Sequence, residues 1–252
     1  VVIQQYGALY SYTDKAAELY EDDIPGDQKV LVAERMGLVR EMVRYGQMKA
    51  ATNVIYSGGT TRATVDQAIS LNNLRNMAKS LMANHGKMTT KVLSASNNYG
   101  TDAVAAGFFV YCHTDLEPDI RDMAGFVPAE KYASGSPMPN ELGKVERFRF
   151  ITSPDLPSII DSGAAIGSTG LSSTTGSNID VYQFIVLAED AFSQVAVRGL
   201  DSLSPTFLPP GEKSKSDPHG QRGYAGTIWW KAVMIENNGW MAVGNVGVRV
   251  LT

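Results

Sequence analysis

From Asp27 to about Tyr56, apolar side chains return every three or four positions, at Leu31, Val32, Met36, Val39, Met42, Val43, Ala50 and Val54. That spacing places them on one face of a single long helix, which no proline interrupts. Glu34, Arg35, Arg40, Arg44 and Lys49 fall on the opposite face. At its usual rise such a helix would be about 45 Å long, a spine rather than a core helix. Asp22, Asp23, Pro25 and Asp27 suit its positive N-terminal end, and Gly58-Gly59 marks its exit. A second helix is predicted from Leu71 to Asn84, with Ser70 as N-cap, Leu71, Leu74, Met77, Ala78, Leu81 and Met82 inside, and Gly86 as its stop.

Period-two alternation predicts strands elsewhere. Val1 to Tyr12 is the first, with Gln4 and Ser11 toward solvent. Lys87 to Ser94 is a short strand, and Asn97 to Thr101 a loop leading to a buried strand from Phe108 to Cys112. A short helix from Thr114 to Met123 follows. The prolines and glycines between Gly125 and Leu142 predict an irregular surface loop, after which Val145 to Thr152 resumes strand. Ser162 to Ser177 is almost wholly Gly, Ser, Thr and Ala and is expected to be mobile. Val181–Leu187 and Ser193–Val197 are expected to pair across Glu189-Asp190. After a long loop from Ser204 to Gly223, Thr227–Glu236 and Trp240–Val250 read as a hairpin around Asn237-Asn238-Gly239. The sum is an α+β fold.

The chain of 252 residues, 44% hydrophobic, has enough apolar content for an ordinary core. A net charge of -4 without a Lys/Arg run argues against tight gripping of nucleic-acid phosphates. The single cysteine, Cys112, makes no internal disulfide and points to a reducing compartment. No apolar run approaches the ~20 residues of a membrane helix, and no signal peptide is visible. Beginning at Val1 in mid-alternation, without methionine, the sequence reads as part of a longer chain.

Catalytic chemistry is sparse. His113 with Asp115 and Asp119 is the most site-like cluster, beside Cys112, yet adjacent strand residues point to opposite faces and buried cysteines are mostly inert. A hydrolase-type enzyme centred on His113 and Asp115 is a distant alternative. His85 suits a helix C-terminus, and with His219 isolated in a loop the histidines have no metal-ligand spacing. Gly167-Ser168-Thr169-Gly170 and Gly211-Glu212-Lys213-Ser214 lack the following helix or the upstream strand of a phosphate cradle. Asp22 and Asp23 read as helix-start acids rather than cation ligands. Trp229, Trp230 and Trp240 offer only a weak case for a sugar- or base-stacking face. No catalytic residue, metal ligand or cofactor is expected.

Three stretches carry a resemblance. Thr52-Asn53-Val54-Ile55-Tyr56-Ser57-Gly58-Gly59, Phe108 to His113 running into Thr114-Asp115, and Asp217-Pro218-His219-Gly220-Gln221-Arg222-Gly223 resemble, in this order, landmarks of tailed-phage major capsid proteins. The branch named after phage N-four is the most similar. The likeness extends over nearly the whole chain and implies the Hong Kong 97-type capsid fold, with a long spine helix, a peripheral domain and an axial domain. It implies a peripheral domain over residues 1–62, an axial domain over 63–199, a peripheral loop and strand over 200–236, and a return to the axial sheet over 237–252. Ser162 to Ser177 would then lie near the five-fold and six-fold axes. An N-terminal arm and most of an extended loop would precede Val1. Some members of this fold form an isopeptide cross-link; Glu34, Glu41, Asn237 and Asn238 are of suitable types, but the loop lysine is missing and no cross-link is expected.

The function so implied is structural: self-assembly into hexamers and pentamers of an icosahedral shell that encloses double-stranded DNA without sequence-specific binding. Its partners would be copies of itself, with portal, scaffolding or decoration proteins possible, and no membrane. It would reside in the virion after assembly in the host bacterial cytoplasm. The runner-up is an encapsulin-like compartment that houses a cargo enzyme.

Overall fold

The computed structural model describes residues 2–19, 21–93, 101–132, 137–167, 169–195, 204–213 and 215–251. The expected loop over Asn97–Thr101 lies mostly outside these residues. By its contacts the chain forms two compact units, Val1–Gly46 with Ser193–Met234, and Gln47–Phe192 with Ile235–Thr252. Residues 47–62 therefore belong with the second unit.

In chain order the elements are β1 (Gln4–Thr13), α1 (Asp14–Leu19), α2 (Ile24–Met48), β2 (Val54–Tyr56), α3 (Leu71–Ala83), β3 (Thr89–Leu93), β4 (Thr101–His113), α4 (Glu117–Arg121), β5 (Phe126–Pro128), β6 (Glu141–Val145), β7 (Phe148–Ser153), β8 (Tyr182–Leu187), β9 (Phe192–Val195), β10 (Ser204–Leu208), β11 (Arg222–Ile235) and β12 (Met241–Val246).

The first unit is a four-stranded sheet with α2 along it. β11 is central, with β1 on one side over ten paired positions, from Gln4 opposite Lys231 to Thr13 opposite Arg222. β10 and β9 also pair with β11. The Lys29 ammonium lies 3.9 Å above the Phe207 ring of β10, and Arg44 donates to Gln194 of β9 at 3.3 Å, so α2 spans the sheet between these strands. The spine is shorter than the pattern predicts: it ends at Met48, and Val54 belongs to β2. Its buried residues are Val32, Met36, Tyr45 and Met48, whereas Leu31, Met42 and Ala50 are exposed. Tyr45 takes the place on the packed face that the periodicity assigned to aliphatic neighbours. Arg44 is half-buried, held by Glu41 and Gln194. The Asp23 carboxylate receives the Gly26 N–H at 3.1 Å, capping the first turn.

The second unit holds an eight-stranded mixed sheet in the order β2-β12-β8-β4-β7-β6-β5, with β3 paired to β4. α3 carries Leu74, Met77, Ala78 and Leu81 into a core shared with Phe108, Val110, Phe148, Phe150, Phe184 and Val246. Ser70 accepts the Asn73 N–H at its start. At its end Gly86 N–H reaches Leu81 O at 2.8 Å and His85 N–H reaches Met82 O at 3.0 Å. This is a Schellman closure. His85, with φ of 59°, occupies the left-handed position expected of Gly86, and Met82 is exposed rather than inside.

Other expectations are corrected. The strand expected over Val145–Thr152 is present as β7, but it opens with the β6–β7 hairpin turn at Glu146-Arg147, where Glu146 has φ of 50°. Gly125–Leu142 includes β5, which pairs with β6. β8 and β9 do not pair with each other, since β8 lies between β12 and β4 and β9 joins β11. β11 and β12 likewise fall in different sheets, and β10 is a strand where a loop was expected. The tract 162–177 is tied down: Asp180 accepts from Asp161 N–H at 2.9 Å and from both the N–H and hydroxyl of Thr174 at 2.7 Å, and Leu171 bridges Arg249. Of its glycines, Gly163 packs against the Ile179 backbone, whereas Gly167, Gly170 and Gly176 take positive φ at open turns. Among the described residues no helix is long and apolar enough to cross a membrane.

Candidate assembly surfaces

The structure brings His113 and Asp115 together, but as parts of a turn. β4 ends at His113, whose Nδ1 accepts the Asp115 N–H at 3.0 Å and caps the turn leading into α4. The Tyr182 hydroxyl donates to Asp115 Oδ2 at 2.8 Å; burial and then this hydrogen bond push its pKa up to about 12. Asp119 is turned away to Arg249, which also binds Asp122 at 2.7 Å. Cys112 is fully buried, and burial, assisted by the Glu117 charge, pushes its thiol up to about 12. A neutral thiol in an apolar core is no nucleophile. An open cleft of about 580 Å³ lies beside this turn, lined by Asp115, Glu117, Arg121, Ser172, Tyr182 and Arg249 among others. Its arginines are already engaged, Arg121 by Glu117 and Arg249 by Asp119 and Asp122.

Among the described residues no group of three or more His, Cys, Asp and Glu side chains converges as a metal site. Trp229 is buried against Tyr6, with ring centroids 4.6 Å apart, and Trp240 donates its indole N–H to Asn84 O at 2.8 Å. Of the cross-link types, Glu41 pairs with Arg44, Asn238 accepts the Thr52 N–H at 3.0 Å, and Asn237 accepts the Gly239 N–H at 2.8 Å.

The three landmark stretches are structural joints. Asn53 donates to Met241 O at 3.1 Å and to Ser80 at 3.2 Å, while its own carbonyl takes the Val243 N–H, so it ties β2, α3 and β12. Ser57 receives the Asn73 amide at 2.9 Å and donates to Ala68 O. Gly58, at φ of 86°, turns the chain against Asp66, where a side chain would collide. Phe108, Val110 and Cys112 face the core. In the third stretch, Asp217 accepts the Arg222 N–H at 2.8 Å and Gly211 N–H reaches Gly220 O at 2.7 Å, closing the loop between β10 and β11. The backbone N–H groups of Gln221, Arg222 and Gly220 outweigh burial and hold the Asp217 carboxyl below the usual range.

Sequence reasoning missed the most deeply buried ion pair among the described residues. Glu141 and Arg149, with side chains 0% and 7% exposed, meet through two hydrogen bonds of 2.7 and 2.6 Å. Glu141 also receives the Tyr132 hydroxyl at 2.7 Å and the Met138 N–H at 2.8 Å, which fastens the strand-linking segment to β6 and β7. The signal was a lone arginine between Phe148 and Phe150.

What the surface offers is apolar area. Leu9, Leu208 and Ile228 project from one side of the first sheet and are 66%, 39% and 44% exposed. Their register, Leu9 opposite Gly226 and Leu208 opposite Tyr224, puts them on one face. Val30, Leu31 and Met42 are exposed on α2. β1 is a ten-residue edge strand without a charge, a proline or a register shift. Proteins that stay single protect such edges, so this one is suited to being covered.

No family model matches the sequence. A major capsid protein of Pseudomonas phage KPP21 is 22% identical over 261 residues, an alignment that takes in 96% of this chain. The chain spans 65% of the length of that curated relative. The capsid of Ralstonia phage GP4 superposes with a TM-score of 0.69 at 10% identity, over 100% of this chain and 75% of that one. The chain has the Hong Kong 97-type fold of these phage capsids. The SrpI encapsulin of Synechococcus elongatus PCC 7942 superposes as well, at a TM-score of 0.58 and 11% identity, over 100% of this chain and 76% of that one.

Proposed function

We propose that this chain is a major capsid protein subunit that assembles into hexamers and pentamers of an icosahedral shell around double-stranded DNA. The observation that carries the reading is a capsid fold extending over essentially the whole chain, matched in sequence to a phage major capsid protein. The exposed apolar face and uncharged edge of the first sheet support it, because a subunit that buries them against copies of itself removes their cost in water. On this reading the first unit is the peripheral domain and the second the axial domain, with the tied-down tract 162–177 near the symmetry axes. The net charge of -4 suits a lining that leaves packaged DNA free to move. On this reading the chain's role is structural and its place is the virion.

The encapsulin likeness sustains a second reading, a compartment loaded with a cargo enzyme. Nuclease treatment of particles purified from infected or expressing cells, followed by extraction, separates the two. Nuclease-resistant genome-length DNA supports the virus shell. Particles holding a protein cargo and no DNA would overturn it in favour of the compartment.

A further inference from the structure

The third landmark stretch opens with the turn Asp217-Pro218-His219-Gly220. Aspartate in its first position, proline in its second and glycine in its fourth suit a tight turn, and the Gly220 N–H closes it on Asp217 O at 3.2 Å. Gly220, at φ of 67°, is pressed against the other stem of the loop, so that a Cβ there would sit 2.9 Å from the Gly211 carbonyl carbon and 3.2 Å from Glu212 O. Gly211 N–H to Gly220 O at 2.7 Å and Arg222 N–H to Asp217 Oδ2 at 2.8 Å hold the two sides. The backbone therefore fixes Asp217 and the peptide bond that follows it, while Pro218 and His219 stand exposed at the corner.

The Asp217–Pro218 bond combines three features of a cleavable amide. Its carbonyl oxygen accepts the Gly220 N–H, a donor that polarises the carbonyl and stabilises the charge of a tetrahedral adduct. Its nitrogen belongs to proline, a tertiary amide that takes a proton more readily than an ordinary peptide and so leaves more easily. Its own side-chain carboxylate closes a five-membered ring on reaching the carbonyl carbon, which makes it an intramolecular nucleophile. Desolvation alone would raise the Asp217 carboxyl, but the N–H groups of Gln221, Arg222 and Gly220 and the Arg222 charge outweigh it and hold it below the usual range. The nucleophile stays ionised into mild acid. Other charged residues on the segments against this turn are Glu212, Lys213 and Lys215 in the loop and Asp14 of α1, whose N–H bonds to Gln221 O at 2.9 Å.

We propose that the Asp217–Pro218 bond is a self-cleavage site, with Asp217 as its nucleophile and His219 as its proton donor. An Asp217 carboxylate oxygen attacks the residue's own carbonyl carbon, the protonated His219 imidazole gives its proton to the Pro218 nitrogen, and the C–N bond breaks. A cyclic anhydride is left on Asp217 and a secondary amine on Pro218. Water opens the anhydride to two carboxylates and releases two protons, one taken up by His219 and one by the prolyl amine. The nicked chain holds together, because β10 and β11 stay paired from Ser204 opposite Ile228 to Leu208 opposite Tyr224 and the Gly211–Gly220 bond spans the break. The turn bond from Gly220 N–H to Asp217 O is lost, so the loop opens in one direction only. This step does not depend on shell formation.

The test incubates the purified full-length protein across an acid-to-neutral pH series and follows its fragments by intact mass and N-terminal sequencing. A fragment that begins at Pro218 is expected, formed at least about tenfold faster in the folded protein than in urea at the same pH, because only the fold places the Gly220 donor and the carboxylate together. Its rate is expected to fall once acid protonates Asp217. Hydroxylamine is expected to trap the anhydride as a hydroxamate on the fragment that ends at Asp217. Asp217→Asn is expected to abolish cleavage, and Pro218→Ala and His219→Gln each to slow it about tenfold or more. Pro218→Ala keeps the carboxylate and so separates the chemistry of the bond from damage to the loop, with circular dichroism checking that each variant folds. No fragment beginning at Pro218, cleavage as fast in urea as in the folded protein, cleavage of Asp217→Asn, or an unchanged rate in His219→Gln would overturn the proposal. Each of these outcomes leaves the shell-forming function standing.

Discussion

Replacing Glu141 by glutamine isolates the contribution of the buried ion pair to the second unit. Glu141 is fully buried and Arg149 nearly so, and the two share both guanidinium-to-carboxylate hydrogen bonds. Burial alone would raise the Glu141 pKa, but Arg149, the Met138 N–H and the Tyr132 hydroxyl together outweigh it and hold it below the usual value. The hydrogen bond to Glu141 in turn raises the Arg149 pKa despite burial. Glutamine fills the same space and keeps one acceptor oxygen, but leaves the guanidinium charge buried without a counter-charge. Breaking one partner of such a pair costs about 3 to 5 kcal/mol. The retained acceptor argues for the low end, about 3 kcal/mol, which at this chain length lowers the melting temperature by roughly 6–12 °C. The assay is urea and thermal unfolding of unassembled subunit at fixed concentration, followed by circular dichroism. Glu141→Gln combined with Arg149→Met removes the stranded charge and is expected to recover most of the loss. The pH dependence has a fixed sign. Because the folded pKa lies below the unfolded one, the pair's stabilisation is complete above about 4.3 and is lost as pH falls through the folded value. A Glu141→Gln variant within about 1 kcal/mol of the parent would refute the reasoning, since that is the scale of an exposed pair.

Three further outcomes follow from the geometry. Gly244→Ala puts a methyl group into the Phe184 ring and 2.7 Å from Met77 Cε, and is expected to cost about 1–3 kcal/mol; an unchanged urea midpoint would contradict that packing. Cys112, buried with its pKa pushed up to about 12, is expected to resist thiol reagents at pH 8 in the folded protein and to react fully in urea, and prompt native labelling would contradict its burial. His113→Ala removes the cap on the turn before α4 and is expected to cost about 1 kcal/mol, with assembly retained; turnover of any substrate by the parent that this variant abolishes would revive the enzyme reading.

Local signals were legible and non-local ones were not. α3 was readable to within a residue because its stripe, its Ser70 cap and its C-terminal stop are all encoded within a few positions. On α2 the period was correct and Val32 and Met36 are buried on the expected face, but Leu31 and Met42 at its margin are exposed and Tyr45 is buried there instead. Strand existence was mostly visible, while strand pairing was misread for β8 with β9 and for β11 with β12. Every residue of β8 and β12 is buried, so alternation gives no face, and their partners are set by distant sequence. The His113 cluster illustrates the opposite error: residue types that suit catalysis are here a helix cap and two carboxylates engaged by Tyr182 and Arg249. The Glu141–Arg149 pair escaped notice because a charge inside an apolar strand announces burial only once its partner is known.

Cryo-electron microscopy of the purified full-length protein, with averaging of whatever particles form, addresses the central claim directly. The account predicts closed shells whose rings of five and six subunits share this two-unit fold, with the bare face and edge of the first sheet covered by neighbouring copies. A stable monomer or small dimer at every salt concentration, with that sheet face still open to water, would contradict it.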